Sequence, residues 1–251
     1  MASFIILLLL IAYAVYRIWV YLKDREQIKD VTSISRGEKS EHKVILELIK
    51  AGIDPRAIFH DLYFKKPNGE YTQVDLAVPT KAGIIVFEIK DYSGWIFGNE
   101  NQKYWTQVLA YGREKHRFYN PIMQNASHIR TIRNLLTQNP CIPFYSVIVF
   151  FGSSELKNVT YYAENTYLIY PPSIRRVVSG ILEQTNAAYG NKHEIMNAFS
   201  QAVRNGDDPS IVSSQINSAA YYSQKEPSSS YRTSYHPFYR LPYFLFRRKL
   251  F

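Results

Sequence analysis

The chain has 251 residues, 46% of them apolar and 20% charged, enough for one sizeable core with appendages. Lys and Arg outnumber Asp and Glu by 30 to 21, which favours nucleic acid or anionic lipid as a partner and is silent on fold. Ordinary Gly and Pro usage excludes collagen-like and wholly low-complexity chains, and the lone Cys141 excludes an intrachain disulfide framework or a Cys-rich zinc site.

Residues 4–22 read FIILLLLIAYAVYRIWVYL, with Arg17 as the one charge. As a helix this run spans roughly 28 Å, about the thickness of a bilayer core. Trp19 and Tyr21 lie where an interfacial aromatic belt belongs, and Arg17 is close enough to the end to snorkel. A cleaved signal peptide is the rival reading, with Ala12-Tyr13-Ala14 as its small-x-small site, but no Lys or Arg precedes the apolar run. A buried core helix is the third. Lys23, Arg25, Lys29, Arg36, Lys39 and Lys43 all follow the span, so the positive-inside rule predicts a single-pass cell-membrane protein. Its N-terminus is expected outside and its C-terminal domain in the cytoplasm. The expected division is an anchor over 1–24, a stalk over 25–36, a domain over 37–205 and a flexible aromatic, basic tail over 206–251.

Within the domain, Val44, Ile45, Leu48 and Ile49 predict a helix over 37–51 ending before Gly52. A strand is expected over 57–64, and Pro67-Asn68-Gly69 is a turn. Strands over 71–78 and 83–90 follow, then short strands through Trp95 and Trp105. A helix opens with Pro121 and runs to about 138. FYSVIVFF (144–151) has the continuous apolarity of a central strand. A strand near 166–170 and helices near 172–185 and 191–204 complete a mixed α/β domain, its sheet antiparallel first and then parallel, flanked by helices.

The chemistry concentrates in YTQVDLAVPTKAGIIVFEIK (71–90). A hairpin turning at Lys81-Ala82 pairs Leu76 with Phe87 and Val78 with Ile85, and puts Val74 opposite Ile89 on the same apolar face. The other face pairs Asp75 with Glu88 and Gln73 with Lys90. A one-residue slip would bury the charges. Cross-strand neighbours are about 5 Å apart at Cβ, so the two carboxylates repel unless a cation lies between them. Lys90, two residues from Glu88 on the same face, is one such cation, and the arrangement is then a surface ion pair. A hard cation such as Mg²⁺ is the other; it would lower the pKa of a bound water and stabilise a pentacoordinate phosphate.

Several blocks, in order, resemble the nuclease-related domain family, a branch of the PD-(D/E)xK restriction-endonuclease-like superfamily. They are Gly37…Ser40-Glu41-x-x-Val44-x-x-x-Leu48, Gln73-Val74-Asp75, Gly83-Ile84-Ile85-Val86-Phe87-Glu88-Ile89-Lys90, Tyr92-Ser93-Gly94, Trp105 and Asn120-Pro121-x-x-Gln124. The resemblance covers about residues 36–155. Val74 replaces the superfamily's proline, and Ser40 stands where a glycine is usual. The resemblance implies a restriction-endonuclease-like core with a Mg²⁺ or Mn²⁺ ion held by Asp75, Glu88 and the Ile89 carbonyl. Glu41 matches the first helix's acid, with Glu38 one turn earlier as its competitor. It further implies that Lys90 is the catalytic lysine and that Gln124 reaches the site.

Lys103, Arg113, Lys115, Arg117, Arg130 and Arg133 interleave with Tyr104, Trp105, Tyr111, Phe118 and Tyr119. This suits either a phosphate track with stacking or a solvated basic face. The six histidines show no metal spacing. Two functional classes follow: a membrane-anchored, metal-dependent nuclease acting on DNA or RNA, and a non-catalytic nucleic-acid-binding or interaction module tethered to the membrane. The tail, ending PFYRLPYFLFRRKLF, is expected at an anionic membrane surface, with nucleic acid or a groove on the domain as its other destinations.

Overall fold

The computed structural model describes residues 2–224; the expected destination of the 237–251 segment therefore lies outside the described residues. The elements run α1 (Ala2–Lys29), α2 (Lys39–Lys50), β1 (Phe59–Lys65), β2 (Tyr71–Thr80), β3 (Gly83–Asp91), β4 (Gly94–Asn99), β5 (Tyr104–Leu109), β6 (Glu114–Tyr119), α3 (Pro121–Leu135), β7 (Phe144–Phe151), β8 (Ser154–Thr160), β9 (Thr166–Ile169), α4 (Ile174–Leu182), α5 (Lys192–Asn205) and α6 (Pro209–Gln224).

Helix α1 contains the apolar run, and Ser3–Lys29 is long and apolar enough to cross a membrane, with none of its most apolar window buried within the chain. Its polar end differs from the expected stalk. The helix continues to Lys29, Ile28 is buried, and Asp24 lies 3.7 Å from Lys50 of α2. Asp24 and Ile28 are one turn apart on one face, and that face docks on the domain. Helix α6 is a second difference: residues 209–224 are helical where the composition predicts the start of a flexible tail.

The main sheet has the order β1-β2-β3-β7-β9. The β1-β2 and β2-β3 pairs are antiparallel, whereas β3-β7 and β7-β9 are parallel. This is the antiparallel-then-parallel α/β arrangement expected. Helices α2 and α4 cover one face through Val44, Ile45, Leu48, Ile174, Val178 and Ile181. Helices α3 and α5 cover the other through Ile132, Leu136, Ile195, Phe199 and Ala202. Strand β7 is buried along its whole length, as its unbroken apolar sequence requires.

The β2-β3 ladder has the expected register from Thr80↔Gly83 to Leu76↔Phe87. The alternation then breaks. Leu76 and Val78 belong to the α2/α4 core, but Val74 packs with Leu62 and Phe64 in the opposite core. The change of face falls at Asp75, across β1 from Asp61, whose φ of 57° is left-handed. Arg36 holds that conformation. Its Nε donates to Asp61 Oδ2 at 2.8 Å and its Nη2 donates to the Asp61 carbonyl at 2.9 Å.

A second sheet, of order β6-β5-β4-β8, follows the end of β3. Its inner face carries Ile96, Trp105 and Phe118, packed with Ile122, Ile148 and Phe150. Strand β8 (SELKNVT) has no clear sequence signal, because only Leu156 and Val159 are apolar and the exposed positions between them are polar, along an edge.

Candidate active site at the end of the hairpin

Strand β3 leaves the core with Glu88, Ile89 and Lys90, where the β2-β3 ladder has ended. Glu88 is 2% exposed, and its Oε1 is 2.6 Å from Lys90 Nζ. Lys90 also donates to Gln124 Oε1 at 3.0 Å. Asp75 Oδ2 accepts the Ile89 amide at 2.8 Å, so its carboxylate stands beside the same strand end. The structure thus brings Asp75, Glu88, Ile89, Lys90 and Gln124 together.

Helix α3 delivers Gln124 through local chemistry. Asn120 caps the helix by accepting the Ile122 amide at 2.9 Å, and Pro121 occupies the first turn, where its missing N–H costs nothing. The Asn120 amide group also donates to the carbonyls of Asn99, Glu100 and Gln102, fixing the helix start to the β4-β5 turn. One turn on, Asn125 donates to the Val86 carbonyl and to Ser146 Oγ, both at 2.9 Å. The Asn-Pro-x-x-Gln block is therefore a cap, a first-turn proline and a projecting amide.

His128 lies one helical turn beyond Gln124 and was missed by the histidine-spacing criterion. It is 5% exposed, with Nδ1 at 3.1 Å from Thr72 Oγ1 and Nε2 at 3.3 Å from Glu88 Oε2. The Nε2 contact lacks hydrogen-bond alignment, so Glu88 Oε2 and His128 Nε2 are buried polar atoms without a hydrogen-bond partner. The i,i+4 spacing from Gln124 was the available signal.

Burial alone would push the Glu88 carboxyl up. The Lys90 charge and the adjacent His128 outweigh it and hold the carboxyl below its ordinary value. Burial likewise pulls Lys90 down, but Glu88, then Tyr92 and Asp75, raise it well above the usual lysine range. The pair is ionised across neutral pH.

Glu41 is engaged differently. It is 5% exposed, its Oε2 is 2.6 Å from His60 Nε2, and it forms a reciprocal capping box with Glu38, the N-cap of α2. His60 Nδ1 is 2.9 Å from Thr32 Oγ1. Gly37 is needed where the chain crosses this pair, because a Cβ there would lie 2.5 Å from the His60 ring and 2.6 Å from Glu41 Oε2. Among the described residues, no three His, Cys, Asp or Glu side chains converge as a metal cage. A cation at Glu88 would instead rely on two carboxylates, backbone oxygen and water, the donor set Mg²⁺ accepts. The unpartnered, buried Glu88 Oε2 fits such an ion.

A model of the nuclease-related domain family matches residues 36–151. An uncharacterised protein of Bacillus anthracis is 31% identical over 143 residues, 56% of this chain and 65% of that protein. The match thus spans less than two thirds of that relative's length. No solved structure matches it.

Proposed function

We propose, on the premise that residues 36–151 belong to the nuclease-related domain family of the restriction-endonuclease-like fold, that this chain is a metal-dependent phosphodiesterase acting on nucleic acid at a membrane surface. The observation that carries the reading is the buried, ionised Glu88–Lys90 pair beside Asp75, with one Glu88 oxygen left without a hydrogen bond. Such pairs stabilise poorly against apolar replacements, so their presence at a strand end favours chemistry over structure. Asp75, Glu88 and the Ile89 carbonyl would hold Mg²⁺ or Mn²⁺. That ion, when bound, supplies charge for the phosphate and a more acidic water. Lys90 is placed to neutralise developing charge on the phosphate or to orient the attacking water, and Gln124 fixes its ammonium. His128 stands 3.3 Å from the other Glu88 oxygen, beside the position the ion would take. Glu41 would have to release His60 to join the ion, so the centre rests on Asp75 and Glu88. In this reading helix α1 is the membrane anchor and the domain lies on the cytoplasmic side, the orientation that the basic flank favours.

The full chain in nanodiscs should cleave labelled DNA or RNA with Mg²⁺ or Mn²⁺, and Glu88→Gln should not. Mn²⁺ should also raise the thermal midpoint of the wild type, and Asp75→Asn should abolish the rise. Equal rises in both proteins would remove the metal site. The short Glu88–Lys90 contact, in which the lysine already neutralises the carboxylate, favours a second reading, a binding module without turnover. That reading is supported if nucleic acid is bound without cleavage under every metal tested.

A further inference from the structure

The outer face of the second sheet is built in a way the cleavage site does not use. Between β5 and β6, Ala110 (φ 48°) and Tyr111 (φ 53°) are consecutive left-handed residues, neither of them glycine. That backbone conformation is costly for side chains other than Gly, Asn and Asp. It projects a Tyr111 ring that is 97% exposed. Tyr111 and Trp95 are among the residues that line a cavity of about 250 Å³, with Gly94, Val108, Leu109 and Ala110. This is smaller than the roughly 300 Å³ lower bound of ordinary small-molecule pockets and suits one flat ring.

One cation lies against a cavity ring, and two more lie against Tyr104, further along β5. Lys157 Nζ lies 5.5 Å from the Trp95 ring, and Arg117 and Lys103 lie 5.1 and 5.4 Å from Tyr104. Lys115 is exposed and pairs across the ladder with Val108, a wall of the cavity. The acids of this sheet are fewer: Glu155 is paired with Lys157, and Glu114 is 3.8 Å from His116. The cavity follows the candidate active site closely in the chain. Gly94 is four residues after Lys90, a reach of at most about 14 Å. Gly94 itself is required there, since at φ 77° a Cβ would collide with the Val108 carbonyl.

We propose that the Trp95–Tyr111 cavity stacks an unpaired nucleobase while Lys115, Arg117 and Lys157 track the adjoining phosphates, so that the chain selects single-stranded nucleic acid over duplex. The inference rests on the reading of the chain as one that acts on nucleic acid and specifies its substrate class. Duplex bases are stacked and paired, so they offer phosphates to the cations but no free face to the rings. Strain spent on exposing one aromatic ring is explained by a ligand that covers it.

The test uses the full chain in phosphatidylcholine nanodiscs with EDTA, and a fluorescein-labelled 15-nucleotide thymidine oligomer read by anisotropy. Single strand should bind at least tenfold more tightly than a duplex of equal length. Tyr111→Asn keeps a residue that tolerates the turn and removes the ring; it should weaken single-strand binding about tenfold, the worth of one stacked base. Tyr111→Phe should bind like the wild type. Arg117→Gln should lower the slope of log K against log salt for the single strand by about 0.7. Unchanged binding by Tyr111→Asn, or equal affinity for duplex, overturns the proposal. So does a Tyr111 effect confined to phosphatidylserine vesicles, which would make the face a lipid contact. The outcomes separate the two readings: Tyr111-dependent binding without cleavage under any metal removes the enzyme and keeps the platform, and cleavage with Tyr111-independent binding does the reverse.

Discussion

Glu88 divides its two oxygens between a full ion pair with Lys90 and an imperfect contact with His128. Removing Lys90 leaves a nearly buried carboxylate without its counter-ion. Lys90→Met should therefore cost about 3 kcal/mol in urea unfolding, and Glu88→Gln combined with Lys90→Met should recover much of it. The pH dependence follows from the directions of the two shifts. Glu88 is held below its ordinary value of 4.5, so its contribution is complete above that pH and is lost as pH falls through the lower folded value. Lys90 is held above 10.5, so its contribution is complete below that pH and is lost as pH rises through the higher folded value. Metal-free wild type should thus lose stability below about pH 4.5 more steeply than Glu88→Gln, measured by urea midpoints from pH 3 to 7. The Glu88–Lys90 pair was legible in the sequence because both lie on one strand two residues apart. His128 was not, because a single helical histidine carries no sign of which strand it will meet.

At the scale of elements, α3 depends on Asn120, which is fully buried and bonds in both directions. Asn120→Ala removes a cap and takes a donor from the Glu100 and Gln102 carbonyls, while Asn99 keeps Trp105 Nε1, so a loss of about 2 kcal/mol is expected. Asn120→Asp keeps the cap but turns a carboxylate toward those carbonyls; it should be no better than Ala in the same unfolding measurement. The two central strands and the hairpin register could be read directly, since apolar alternation on β2 and β3 permits one register. The reversal at Asp75 could not. It depends on Asp61, Arg36 and Gln73, whose Nε2 donates to Asp61 Oδ1 at 2.6 Å, and no local pattern reports such distant partners. Strand β8 escaped for the opposite reason, since a polar edge strand reads as loop.

At the scale of the molecule, Arg36 joins segments far apart in the chain. Besides Asp61 it reaches the Val203 carbonyl at the end of α5 and Asp207 beyond it, both at 2.9 Å. The Asp207 side chain is 71% exposed and adds little, whereas that of Asp61 is 7% exposed and carries most of the effect. Arg36→Ala should destabilise by about 3 kcal/mol, and Arg36→Lys should not rescue it, because one ammonium cannot replace a guanidinium fork serving several acceptors. Thermal unfolding of the two variants checks this.

The docking of the last turns of α1 on α2, reinforced just downstream by Arg36, has a mechanical consequence. In the membrane-anchored arrangement proposed above, the domain rides on a mast rather than a leash, and tilting of the mast swings the domain with it. Its working space is then a thin disc parallel to the lipid. A long polymer that grazes the membrane crosses that disc many times, while a short fragment in bulk solution seldom enters it. Chain length and proximity to the lipid, rather than solution concentration, would govern which nucleic acids it meets.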